Sequence, residues 1–147
     1  MCRNRRTSQL SRRHHVNMKI IRDSIVEPKE IEDLREAAGW DRSEDTYQDI
    51  LDRHYTYYTA RNEDGRLIGY MSVLSDGISD AFLLDLVVHP LYRRKGLGTQ
   101  IVKKAITDIK TAGIRCVQVT FNTDLETFYK KCGFHIFKGG IIDFKNQ

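Results

Sequence analysis

The sequence predicts a mixed α/β (α+β) domain built on a mostly antiparallel central sheet flanked by helices. Strand-like and helix-like segments alternate in the order β-α-α-β-β-β-α-β-α-β-β, the pattern of a layered sheet with helices against it. A hairpin signal, Asn62-Glu63-Asp64-Gly65, joins two runs rich in aromatic and β-branched residues. An apolar run, Phe82-Leu83-Leu84-Asp85-Leu86-Val87-Val88, passes through a basic, glycine-rich turn into an amphipathic helix.

Taken in order, residues 19–22 form the first strand, and Glu27-Pro28 starts a helix with proline in its first turn. Ile31, Leu34, Ala37 and Ala38 carry its apolar face as far as Gly39. Trp40-Asp41-Arg42 leads to a second helix, which Ser43 is placed to cap and which buries Tyr47, Ile50 and Leu51. Residues 55–60 and 67–74 are the hairpin strands, the second broken by Ser75-Asp76-Gly77. The strand over 81–88 stops at His89-Pro90. A helix over 99–111 then sets Ile101, Val102, Ala105, Ile106 and Ile109 on one face and ends at Gly113. Residues 116–121 alternate as a strand, and 124–131 read as a short helix ended by Gly133. Two further strands, 134–137 and 141–144, are expected to complete the sheet.

Length and composition fit one domain with a real core: 147 residues, 40% hydrophobic and 30% charged. The formal net charge of +4 is misleading. Residues 1–17 hold five arginines and no acid, so the remainder carries −1, and a nucleic-acid partner is not expected of the domain. We therefore divide the chain into a basic arm over 1–17, disordered or not native, and a single domain over 18–147. A start at Met18 and an arginine-rich transit peptide both fit the arm. No apolar run is long enough to span a membrane. Three cysteines (Cys2, Cys116, Cys132) without metal-type spacing suggest reduced thiols, a cytoplasmic setting and no metal site.

The turn Arg93-Arg94-Lys95-Gly96-Leu97-Gly98 is suited to phosphate, because backbone N–H groups and the positive end of a helix dipole converge there. It is not a P-loop, which needs GxxxxGK[ST], nor a dinucleotide fingerprint, since the third glycine of GxGxxG is missing at Ile101.

With its surroundings, residues 87–98, the turn resembles motif A of the GNAT superfamily of acyl-CoA-dependent N-acetyltransferases. Arg93, Gly96 and Gly98 match that motif's Arg/Gln-x-x-Gly-x-Gly/Ala. Downstream, Asn122 followed by Phe128-Tyr129-Lys130-Lys131-Cys132-Gly133-Phe134 is similar to the family's Asn…Phe-Tyr-x-x-x-Gly-Phe segment. The resemblance spans roughly residues 19–144. It implies a sheet splayed between the strand ending at Val88 and the one beginning near Cys116, with acetyl-CoA as co-substrate between them. The pyrophosphate would lie on backbone N–H groups of Arg94, Lys95, Gly96, Leu97, Gly98 and Thr99, with the Thr99 hydroxyl as a further donor and charge from Arg93, Arg94 and Lys95. Leu86, Val87 and Val88 would bond the pantetheine amides and polarise the thioester carbonyl. Asn122 would bond the pantetheine arm, and Phe128 belongs to the same cofactor segment.

The chemistry implied needs two proton movements. An alkylammonium with a pKa near about 10.4 must lose a proton before it attacks, and the departing thiolate is helped by an acid. Tyr129 matches the family's acid. Asp85, a carboxylate interrupting an apolar strand, is the candidate base, with an arginine partner or a water route as the alternatives. Trp40 and Tyr47 are candidates for the acceptor wall. The pattern Ser75-Asp76-Gly77…Asp85-Leu86-Val87-Val88-His89-Pro90 is also similar to a branch of the family containing arylalkylamine-type enzymes. The resulting expectation is acetyl transfer to a small-molecule primary amine in a ternary complex. A protein or aminoacyl-tRNA acceptor, and a catalytically silent acyl-CoA-binding module, are the rivals, and a homodimer is left open.

Overall fold

A computed structural model describes residues 18–42 and 46–145. Its elements are β1 (Ile20–Arg22), α1 (Pro28–Ala37), α2 (Tyr47–Arg53), β2 (Thr56–Arg61), β3 (Leu67–Ser75), β4 (Asp80–Val88), α3 (Leu97–Thr111), β5 (Cys116–Val119) and α4 (Glu126–Lys131), with 3-10 turns at Pro90–Tyr92 and Thr123–Leu125. The expected cap at Ser43 lies outside the described residues. Pro28 occupies the first turn of α1, and the Glu27 N–H donates to Glu30 Oε2 at 3.0 Å.

The strands lie in sequence order, β1-β2-β3-β4-β5. The first three pairings are antiparallel and β4–β5 is parallel, so the mixed, mostly antiparallel sheet matches the expectation. Consecutive antiparallel strands need only short turns, whereas the parallel β4–β5 pair needs a crossover, which α3 supplies.

Each face of the sheet buries one core. α3 packs Ile101, Val102, Ala105 and Ile109 onto Tyr58, Ile68, Met71 and Val73, with Tyr129 of α4 in the same cluster. On the other face α1 and α2 bury Ile31, Leu34 and Tyr47 against Leu67, Tyr70 and Val87. Gly69 brings α3 close to the sheet: a Cβ there would lie 2.9 Å from Ile101 Cδ1 and 3.2 Å from Leu97 Cδ2. The helix N-terminus is thereby seated low against β3, beside the end of β4.

Two expectations need correction. Residues 134–137 and 141–144 form no strands. Their β-prone composition does not suffice, because a strand exists only where a neighbour accepts and donates along its edge. Phe137, Ile141, Ile142 and Phe144 stand out at the surface instead, and Lys138-Gly139-Gly140 separates the two apolar pairs. The strand expected over 116–121 is also shorter, ending at Val119.

Candidate active site

The decisive local feature is a bulge in β4. Ser72 pairs with Leu84 and Tyr70 with Val87, so Met71 alone faces both Asp85 and Leu86. Asp85 takes up the extra residue with φ of 55°, the left-handed region that aspartate enters more readily than most side chains. A bulge turns its residue away from the regular alternation. Here it aims a carboxylate toward α1 and α2. The Tyr47 hydroxyl donates to Asp85 Oδ2 at 2.6 Å, and Arg35 Nη1 lies 3.3 Å from the same oxygen. Arg35 Nη1 also donates to the Tyr47 oxygen at 3.1 Å. The Arg35 guanidinium lies over the rings of both Trp40 and Tyr47, at 4.9 and 5.5 Å from their centroids.

Beyond the bulge the sheet opens. β4 and β5 pair from Asp80–Cys116 to Leu83–Val119, and no further, while β4 runs on to Val88. Leu86, Val87 and Val88 thus lie past the last paired rung, on the side where β5 has ended. The 3-10 turn after β4 is held by the Leu91 N–H donating to His89 Nδ1 at 3.2 Å and the His89 N–H donating to the Ile68 carbonyl at 2.8 Å. Burial, then the charges of Arg66 and Arg93, hold the His89 imidazole below the usual histidine range.

Gly96 is the N-cap of α3, with φ of 79° and its carbonyl accepting from Gln100. Its left-handed backbone lets Leu97, Gly98 and Thr99 present N–H groups that have no partner earlier in the helix. Arg93, Arg94 and Lys95 are exposed on this turn; Lys95 Nζ lies over the Tyr92 ring at 5.2 Å. Among the described residues no ion pair neutralises Arg93 or Arg94. A Cβ at Gly98 would touch Phe128 at 3.5 Å and Val88 at 3.7 Å. The motif glycine, the end of β4 and α4 therefore meet at one point.

Tyr129 sits on the opposite face from Asp85, stacked on Phe121 at 4.7 Å and edge-on to Phe128 and Phe134. Burial among these rings, with a smaller contribution from Cys132, pushes its hydroxyl up to about 12. Such a phenol is a proton donor at neutral pH. Asn122 precedes the 3-10 turn at Thr123, exposed, and its side chain makes no capping bond there.

Two parallel strands that part company, a basic helix N-terminus beside them, and a buried tyrosine and a carboxylate on the two faces of the sheet make one constellation. The acetyltransferase (GNAT) family model matches residues 19–134. The chain belongs to the GNAT acetyltransferase family. It is 28% identical over 109 residues to the uncharacterized N-acetyltransferase ycf52 of Porphyra purpurea, covering 71% of this chain and 63% of that protein. The chain thus spans somewhat less than two thirds of that relative's length. A GNAT-family acetyltransferase of Streptococcus pneumoniae shares the fold with a TM-score of 0.71 at 26% identity, over 88% of this chain and 99% of the other. A GNAT N-acetyltransferase of Escherichia coli, crystallised with CoA, aligns with a TM-score of 0.66 at 19% identity over 80% of this chain and 68% of that one.

Within this family member, the structure gathers the motif residues of β4, α3 and α4 around the splay. Trp40 and Tyr47 do not form an open wall together. Tyr47 is 1% exposed with its hydroxyl committed to Asp85, while Trp40 is partly exposed beneath Arg35. The arginine partner that the sequence left open for Asp85 is Arg35, which the sequence did not single out because it reads as an ordinary charged position on a helix. The role of Gly69 in seating α3 was not legible either, since it reads as strand filler. His54 closes α2 with its Nδ1 buried, and burial lowers its pKa while the Asp85 charge works in the other direction.

Proposed function

We propose that this chain transfers an acetyl group from acetyl-CoA to a small-molecule primary amine, by direct attack in a ternary complex. The observation that carries this reading is the separation of β4 from β5 after the Leu83–Val119 rung, beside the N-terminus of α3. The gap offers backbone groups of Leu86, Val87 and Val88, and the Gly96 turn offers phosphate ligands at the same end. CoA in the Escherichia coli neighbour supports the assignment of the donor.

Acetyl-CoA supplies an activated acyl thioester. Leu97, Gly98 and Thr99 would hold its pyrophosphate through backbone N–H groups, with the Thr99 hydroxyl and the Arg93, Arg94 and Lys95 charges alongside. Asn122 would bond the pantetheine arm and Phe128 would flank it. Asp85 would take one proton from the acceptor ammonium, directly or through water, leaving a neutral amine to attack the carbonyl. As the carbon–sulfur bond breaks, Tyr129 would give its proton to the sulfur, and the second proton leaving the attacking nitrogen would pass through water to solvent, from which Tyr129 is reprotonated. No cysteine intermediate is needed: burial pushes the Cys132 thiol up, away from the nucleophilic thiolate.

Calorimetric titration with acetyl-CoA tests the donor half of the reading. The expected result is saturable binding to the wild type and none to Gly96→Asp, where a side chain and a negative charge enter the cradle. No heat from the wild type up to about millimolar ligand, equivalent to about −4 kcal/mol, would remove the proposal's foundation.

A further inference from the structure

Asp85 is held by two helices at once, and the manner of holding leaves one oxygen free. Tyr47 from α2 and Arg35 from α1 both engage Oδ2. Among the described residues no hydrogen bond or ion pair falls on Oδ1, and the Asp85 side chain keeps 36% of its exposure. Tyr47 is itself immobilised, with its ring edge-on to Tyr70 at 6.2 Å and its oxygen receiving Arg35 Nη1. The Arg35 guanidinium is fixed over two aromatic rings, and its Nε is buried without a hydrogen-bond partner.

We propose that Arg35 and Tyr47 are positioning residues that pin Asp85 through Oδ2 and so present Oδ1 to the acceptor amine. The inference rests on the reading of Asp85 as the base, and adds two residues that the proposed reaction does not itself require. A carboxylate on a left-handed bulge has no regular strand neighbour to set its direction. One hydrogen-bond donor, Tyr47, and one cation, Arg35, on the same oxygen set it, since a carboxylate accepts on either oxygen and the engaged one is no longer free to rotate away. The other titratable groups facing Asp85 are Tyr70 from β3 and His54 at the end of α2. The Tyr70 hydroxyl is buried, which raises its pKa and keeps it neutral; it makes no well-formed hydrogen bond, the Ser72 hydroxyl that favours its ionisation being directed at the Leu84 carbonyl. His54 is disfavoured as a cation by its burial. Among the described residues, Arg35 is the cation paired with Asp85.

The test is kcat and KM for amine-dependent CoA release in wild type, Tyr47→Phe, Arg35→Met, Arg35→Lys and Asp85→Asn, with acetyl-CoA affinity measured beside each. Tyr47→Phe and Arg35→Met each lower kcat by about tenfold with acetyl-CoA affinity unchanged, and Arg35→Lys restores part of the loss. In an Asp85→Asn background neither substitution lowers the residual kcat further, because both act through this carboxylate. The NMR signal of the Asp85 carboxyl carbon, displaced in Tyr47→Phe, reads the lost Oδ2 contact without turnover, so a sluggish variant still gives an answer.

An unchanged kcat in Tyr47→Phe and Arg35→Met beside a strong loss in Asp85→Asn would overturn the positioning role while sparing the proposed reaction. Losses that add fully to that of Asp85→Asn would overturn it as well, by placing their effect elsewhere. A wild type that binds acetyl-CoA and releases no CoA with any amine would fail the proposed reaction itself. In that case, an undisplaced NMR signal in Tyr47→Phe would separately overturn the pinning.

Discussion

The hydroxyl of Tyr47 and the carboxylate of Asp85, 38 residues apart, are joined by a 2.6 Å hydrogen bond that ties α2 to the bulge of β4. Tyr47 is 1% exposed, so its hydroxyl has no water to fall back on when the carboxylate is removed. Asp85→Ala is therefore expected to destabilise the fold by about 1–3 kcal/mol, the cost of leaving a buried donor unpaired. Tyr47→Phe, which removes the donor and keeps the ring, should cost less. Urea unfolding of both variants measures the difference, and equal costs would show that the unpaired Tyr47 hydroxyl carries no penalty beyond the lost bond.

The seat of α3 yields a second prediction. A Cβ at Gly69 would stand 2.9 Å from Ile101, while one at Gly98 would make only ordinary contact with Phe128. Gly69→Val should destabilise by about 1–3 kcal/mol through overpacking and weaken acetyl-CoA binding by displacing the helix N-terminus. Gly98→Ala should fold with wild-type stability. Thermal melts with a parallel acetyl-CoA titration check both.

Tyr129 stands in a cage of Phe121, Phe128 and Phe134 with its hydroxyl pushed up to about 12. Tyr129→Phe keeps the cage and removes the proton. Turnover should fall by about 10²–10⁴-fold, the span typical of a lost general acid, with acetyl-CoA affinity unchanged. The raised pKa adds that the wild type should show no alkaline loss of activity from this group below about pH 11. A profile falling near the ordinary tyrosine value would contradict the buried, donor-ready state.

Both His54 and His89 are held below the histidine value of 6.5 by burial. Each binds its proton more readily in the unfolded chain. The stability they confer is therefore complete above about pH 6.5 and is lost as pH falls through the ordinary histidine range. In His89→Gln the drop in unfolding free energy between about pH 7.5 and about pH 5.5 should be smaller than in the wild type. Urea titrations at the two pH values decide this, and an equal drop would mean that His89 titrates alike in both states.

How much of this was legible in the sequence depends on the range of the interaction. Gly39, Gly113 and Gly133 mark helix ends, and the hairpin at Asn62–Gly65 forms where its turn residues place it, because such signals act over a few residues. The glycine turn and Tyr129 were visible as motifs. Arg35 was not, because its role comes from tertiary contacts with Tyr47 and Asp85, and a helical arginine looks like any solvated charge. The bulge at Asp85 was hidden too: a register shift belongs to the pair β3–β4 and not to either strand's own composition. The strands expected over 134–144 erred for the opposite reason, since β-propensity was present and a pairing partner was not.

Acetyl transfer to an amine at the gap between β4 and β5 is tested most directly by a screen of CoA release from acetyl-CoA over tryptamine, polyamines, amino sugars and peptides, with the acetylated product confirmed by mass. Stoichiometric thiol and acetylated amine are expected with at least one small primary amine, and strong loss of both in Tyr129→Phe. Saturable acetyl-CoA binding with no thiol released above the amine-free rate for any acceptor would contradict it.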